Sequence, residues 1–300
     1  MTVLYIAGIA KLAAITGAEY ILFPELGALS KDIFTRPQGK WAKAPVLLML
    51  TPLLTAVGGV FIAQNMVYAP LSVLLCVATG IVVIAALRSP IAPAISAGLL
   101  PLTFDIHSWW YPLSITLGTA ALAGITVIRN RYGHPSTQTV PTDVVDDALE
   151  LAPSRYGWVP FFVACLAVDV WLGQLTGWRA VLVPPLVVMG FEMFAHSEIC
   201  PWADRPIILP LVCSLTAAVG VLAAVWLGTG PLAAAAAVAG GIVIIKGFDV
   251  HVPPAIAISL LPLLIEHPTF RYPLAVGLGT IVLTGSFLLY RFVSKAVSYI

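Results

Sequence analysis

His251, Pro253 and Pro254 head the apolar stretch HVPPAIAISLLPLL (251–264), and Pro90, Pro93 and Ala94 head a related one, PIAPAISAGLLPL (90–102). Proline has no backbone N–H and clashes with the preceding turn, so a helix begins after it rather than running through it. A helix that begins inside an apolar medium presents its first N–H groups to whatever lies ahead of it, and an anion suits them. The chemistry expected here is therefore recognition of a small anion, not bond-making. The hydroxyls of Ser96 and Ser259, the backbone at Ala255, and the turn FPELG (23–27) with Pro24, Glu25 and Gly27 complete the expected lining. The plainer alternative is that proline is simply favoured in a first helical turn and lines nothing. His251 stands where the other stretch has Pro90; it is either a proton-sensitive gate or a cap on the break.

No other constellation competes. The chain has no HExxH, no GxSxG and no phosphate-binding glycine loop, so no catalytic residues are expected and the reading is not an enzyme. His196, Glu198 and Cys200 alternate in MFAHSEIC but lack a fourth ligand, so neither a metal nor a cofactor is expected. The four cysteines show no CxxC spacing and read as buried free thiols.

The elements that must position these residues are membrane helices. The chain is 60% hydrophobic and only 10% charged over 300 residues, with mean hydropathy +0.99, which excludes an ordinary soluble domain. The intervals between Lys43 and Arg88 and between Arg205 and Lys246 carry no charge, and each is long enough for two spans at ~20 residues per span. A net charge of +1 gives no basic field for nucleic acid. The first 20 residues lack a basic start and a small-residue cleavage site, and read as a retained helix.

The chain is also written twice. WAKAP (41–45), LTAVGGV (54–60) and YPLSITLGT (111–119) return as WADRP (202–206), LTAAVGV (215–221) and YPLAVGLGT (272–280), each 161 positions on. Upstream the shift is 160, pairing Gly17 with Gly177 and Pro24 with Pro184. The expected organisation is a membrane module at 1–128, a polar linker at 129–157 with a helical turn near 144–151, and a second module at 158–300. The apolar segments of the first module fall at about 2–18, 20–30, 45–64, 68–87, 91–104 and 109–128. The segments at 20–30 and 91–104 are too short for the ~30 Å hydrocarbon core as helices, and read as broken or re-entrant.

Loop charge bears on how the modules are related. The loop before the third segment holds Lys31, Arg36, Lys40 and Lys43 in the first copy, whereas the second holds Glu192, Glu198, Asp204 and Arg205. Placing only the first inside requires an odd number of crossings per module, hence inverted repeats in which one short segment spans. If both short segments re-enter, the repeat is parallel. Lys11 and Asp169 occupy nearly equivalent places in the first helices and are expected to form a buried ion pair; Glu19 and Arg179 invite the same reading with less burial. Lys246, Asp249 and Arg88 read as boundary charges. Trp109, Trp110, Tyr111 and Tyr272 read as interfacial belt aromatics, and Gly58, Gly59, Gly220, Gly240 and Gly241 as close-packing points.

HVPPAIAISLLPLL, followed by YPLAVGLGTIVLTGSFLLYRF, resembles the HPP family of membrane proteins, named for a His-Pro-Pro signature near the end of a four-span domain. FPELGALSKDIFTRPQGKWAKAP in the first module is similar to the same domain, and the resemblance covers about 20–128 and 180–292. The signature falls on His251, Pro253, Pro254 and Ala255, with Pro90, Pro93 and Ala94 in the first copy. Val252 separates the histidine from the prolines, a departure from the family pattern. The family includes proteins associated with nitrite transport, so the resemblance implies a transporter or channel for a small inorganic anion. The expectation is thus an all-α polytopic protein of a bacterial inner or plasma membrane, with its site where the Pro-interrupted helices meet near the midplane. Its partners would be the anion and the lipid bilayer, and a homo-oligomer is compatible with the chain. The competing class is a non-transporting structural or assembly protein, whose broken segments would be filled by side chains.

Overall fold

The computed structural model describes residues 1–132 and 156–298, and no strand occurs among them. The first half contains α1 (Thr2–Thr16), a 3-10 turn (Glu19–Ile21), α2 (Glu25–Thr35), α3 (Lys40–Lys43), α4 (Pro45–Asn65), α5 (Pro70–Leu87), α6 (Ala94–Phe104) and α7 (Trp110–Tyr132). The second contains α8 (Val159–Thr176), 3-10 turns at Arg179–Leu182 and Pro206–Ile208, α9 (Pro184–Ala195), α10 (Leu209–Leu227), α11 (Pro231–Gly247), α12 (Pro254–Leu260) with a 3-10 continuation (Leu261–Leu264), and α13 (Arg271–Ser298). The expected linker falls mostly on 133–155 and its helical turn wholly so, outside the described residues.

Among the described residues six helices are long and apolar enough to cross a bilayer: α4, α5, α7, α8, Pro206–Leu227 and Arg271–Ala296. The chain is an integral multi-pass membrane protein. Its outward side chains agree, since Phe61, Val82, Trp226 and Phe292 are exposed and apolar, a surface that lipid satisfies and water does not. Proline in the first turn starts α4, α5, α8, α10 and α11, where its missing N–H costs nothing. Gly17 and Gly177 end α1 and α8 at φ 70°, the left-handed conformation that a Cβ would strain.

The hydrogen bonds place the elements along the bundle. At one end, here called the basic end, Arg129 donates to the Ile33 and Phe34 carbonyls and Asn130 to Ala42 O, so α2 finishes, α4 begins and α7 finishes together. At the opposite end Gln64 donates to His107 O, joining the finish of α4 to the finish of α6. Tyr20 packs edge-on against Tyr111 at 5.5 Å, which puts the finish of α1 beside the start of α7 at that same opposite end. Trp41 Nε1 donates to Pro90 O, and Thr51 Oγ1 to Ser89 Oγ, so the segment leading into α6 starts near the basic end. Residues 18–35 and 89–104 each run from one end to the other. Short helices suffice because buried, non-helical residues such as Leu22, Phe23 and Ser89 supply the remaining length inside the protein, where irregular backbone is tolerated.

Details recur at the spacing of the sequence repeat. Tyr111 donates to Ala97 O and Tyr272 to Ile258 O; Asn130 donates to Ala42 O and Arg291 to Ala203 O. Arg88 and Asp249 both stand at positive φ, 48° and 50°. A Cβ on Gly59 would lie 2.0 Å from Gly98 O, and one on Gly220 2.2 Å from Ser259 O, so the same close helix approach is made twice. Across the halves α1 packs on α11 and α8 on α5, while α2 meets α12 and α9 meets α6.

Candidate functional site

Four short helices, α2 and α6 from the first half with α9 and α12 from the second, meet in the interior. Glu25 opens α2 there and is 1% exposed, with neither carboxyl oxygen hydrogen-bonded to any described residue. Ser96, in the first turn of α6, is fully buried and its hydroxyl is also without a hydrogen-bond partner. The Ser96 hydroxyl faces the Glu25 carboxyl within reach of a weak hydrogen bond that falls outside strict geometry, and the Tyr111 and Tyr272 hydroxyls also lie within electrostatic reach of that carboxyl. Both tyrosines already donate, to Ala97 O and Ile258 O, at 2.8 and 2.9 Å, so neither donates to Glu25.

Local sequence explains the placement. Pro24 ends the irregular segment 22–24 and opens α2, setting Glu25 in a first turn where the helix dipole favours negative charge. Gly27 lets α2 approach α12, because a Cβ there would lie 3.0 Å from both Ile256 and Leu260 side chains. Gly98 and Gly59 let α6 lie against α4, and this contact fixes the depth of Ser96.

Of the residues expected to form the site, Pro24, Glu25, Gly27, Pro93, Ala94, Ser96, Pro253, Pro254 and Ala255 are buried, whereas Pro90 and His251 are half-buried. Glu25 and Ser96 are brought together. Ser259 is not: its hydroxyl donates to Ile256 O at 2.7 Å within its own helix and stands 3.2 Å from where a Gly241 Cβ would be, toward α11. Pro90 is held by its carbonyl to Trp41, away from the crossing.

Exposed helix-start N–H groups are not observed. The amides of Ala94, Ile95 and Ser96 donate to Ile91, Ala92 and Pro93 carbonyls, and those of Ala255 and Ile256 to Val252 and Pro253. A tight i→i−3 turn ahead of each helix satisfies the donors that proline was expected to leave open. At α6 and α12 polar chemistry therefore rests on side chains.

The expected Lys11–Asp169 ion pair does not form. Lys11 is exposed on α1, while Asp169 is 2% exposed on α8, with Oδ2 near Cys165 Sγ at 3.9 Å and Oδ1 unpartnered. The physical reason is placement: α1 packs on α11 and α8 on α5, so equivalent positions serve different neighbours. Asp169 instead senses Tyr68, whose buried hydroxyl is also unpartnered and whose ring Arg179 covers at 5.5 Å. Arg179 in turn reaches Asp105 at 3.8 Å, not Glu19.

Tyr111 and Tyr272 are not belt aromatics, being 1% and 4% exposed, whereas Trp109 and Trp110 are half and three-quarters exposed. Their recurrence in YPL at the same place in both copies was the signal available for an interior role. Tyr68 left no such signal. Among the described residues no three His, Cys, Asp or Glu side chains are grouped to hold a metal ion. No family model matches the chain, and neither a curated protein nor a solved structure matches it.

Proposed function

We propose that this protein is a membrane transporter for a small inorganic anion, nitrite-like as its resemblance to HPP proteins implies, with the substrate held at the crossing of the four short helices. The observation that carries the reading is the pair of orphaned polar groups there, the Glu25 carboxyl and the Ser96 hydroxyl. Leaving such groups unsatisfied in a dry interior costs several kcal/mol by order of magnitude. An ionisable residue at membrane depth with no partner marks a substrate or ion path by default. In this conformation the crossing is sealed, as an occluded state of a transporter would be.

The proposed architecture is two parallel six-pass halves about an axis along the bilayer normal, in place of the inverted repeat expected from loop charge. Support comes from the finishes of the equivalent helices α1 and α8, which share one end of the bundle. Gln174 at the finish of α8 donates to Tyr68 O, and Arg179 reaches Asp105 at the finish of α6, the end to which Tyr20 and Tyr111 bring the finish of α1. An even number of passes returns each half to its starting side. Among the described residues Arg179 and Arg271 are the only lysines or arginines at that end; apart from Lys11 within α1, the others cluster at or near the opposite, basic end. The basic end is then cytoplasmic. This arrangement gives no weight to the acidic residues of the second loop, since acidic residues contribute little to orientation.

Flux into proteoliposomes tests the function with nitrite, nitrate, formate, glycerol and sodium as probes, comparing native protein with Ser96→Ala. Anion entry that falls at least tenfold in the folded variant is expected. No anion entry from folded native protein overturns the reading and favours the structural class. A second reading, carriage of a small cation, draws on the carboxylate having no basic partner; sodium entry without anion entry would establish it.

A further inference from the structure

Glu25 and Ser96 together offer one hydroxyl and one carboxyl, and the amides of Leu26, Gly27, Ala94, Ile95 and Ser96 around them already donate to carbonyls. An anion needs donors or positive charge, and an ionised carboxylate supplies neither. The same carboxyl when protonated becomes a donor and removes the like-charge repulsion. We infer that Glu25 binds one proton with each anion, making the protein an electroneutral proton–anion symporter; this inference rests on the anion-transport reading above.

Among the described residues no other ionisable group is placed to offset the charge. From α7 and α13 the titratable groups facing Glu25 are Tyr111 and Tyr272, both donating to carbonyls, with Tyr20 beyond Tyr111. From α1, Tyr5 donates to Gly118 O, and Lys11 points outward. On α2 itself Asp32 and Arg36 pair with each other toward its far end, and Lys31 lies in the same stretch. Lys40 and Lys43 on α3 and Arg129 on α7 stand at the basic end with the finish of α2. The facing helix α12, PAIAISL, carries no ionisable residue. The second half does not repeat this chemistry at the equivalent positions: Pro185 occupies the place of Glu25 and Ala257 that of Ser96.

The transport step conserves atoms and charge. In the loaded state the Glu25 carboxyl holds the proton and shares it, with the Ser96 hydroxyl, with an oxygen of the anion. On release the anion and the proton leave to the same side, and the centre carries no net charge across the bilayer. Single negative charge then never crosses the dry interior unaccompanied.

The test uses purified full-length protein in vesicles that carry a trapped pH dye and a potential-sensitive dye, with nitrate as the anion because it is the base of a strong acid and leaves almost no neutral acid to diffuse through lipid. For native protein the expected result is luminal acidification of one proton per nitrate, with no change of potential and at least tenfold faster entry under an inward proton gradient. Glu25→Gln keeps the shape and a donor but cannot carry a proton: nitrate entry is expected to become insensitive to pH and to generate an inside-negative potential. Glu25→Asp is expected to restore acidification at a reduced rate, which a purely structural role for Glu25 would not produce. Native nitrate entry that charges the vesicle without acidification overturns the coupling and leaves anion transport standing. No entry of any anion through folded protein overturns the anion-transport reading itself.

Discussion

Gly59→Ala isolates the contact that sets the position of Ser96. A Cβ at Gly59 would stand 2.0 Å from Gly98 O, against 3.4 Å for ordinary contact, a shortfall of 3.4 − 2.0 = 1.4 Å. The obstacle is backbone of α6 and not the tip of a flexible side chain, so the helix itself must retreat from α4. Overpacking of this kind costs about 1–3 kcal/mol, and the upper part of that range applies when no side chain can swing away. Because α6 carries Ser96, the retreat also changes the spacing between Ser96 and Glu25. Two assays follow the two consequences: thermal unfolding in detergent read by tryptophan fluorescence, and anion flux. Gly124→Ala is the control, since a Cβ there meets nothing within 4 Å. Gly220→Ala meets Ser259 O at 2.2 Å in the equivalent contact, so it should lower stability to a similar degree. It leaves α6 in place, however, and should reduce flux less than Gly59→Ala. A Gly59→Ala protein as stable and as active as the Gly124→Ala control would refute the reasoning.

Two more outcomes can be checked with simple variants. In a cycle of Lys11→Met and Asp169→Asn, the coupling in thermal stability should be within about 0.5 kcal/mol of zero, because the side chains serve different neighbours; a coupling above ~1 kcal/mol would restore the ion pair. Single cysteines at Gln38, Asp204 and Thr229, all exposed, report sidedness to an impermeant thiol reagent while the four native cysteines stay buried. Gln38→Cys and Asp204→Cys should be labelled from one side and Thr229→Cys from the other; labelling of the first two from opposite sides would sink the parallel arrangement.

Much of the molecule is legible before folding because membranes restrict what a chain can do. Apolar length reports spans directly, since lipid demands internally satisfied backbone, and prolines and glycines mark where the helices begin, end and touch. That is why α1, α4, α5 and α7 match their apolar segments, and why the turn at 23–27 and the stretch after Pro93 lie in the interior. Spacing alone also carried the sequence repeat, at which Tyr111 and Tyr272 make equivalent hydrogen bonds. What linear order could not supply was which faces meet. Whether Lys11 reaches Asp169, whether Ser259 looks toward Glu25 or toward Gly241, and whether the first-turn amides are free all depend on helix rotation and on the irregular residues that join short helices. A tight i→i−3 turn ahead of α6 and of α12 satisfied the donors that a simple helix start would have left open. The sequence by itself determined an all-helical membrane chain with broken interior helices. Only the tertiary structure decided that their crossing holds a lone carboxyl and a lone hydroxyl, because a buried polar group is defined by the partners it lacks.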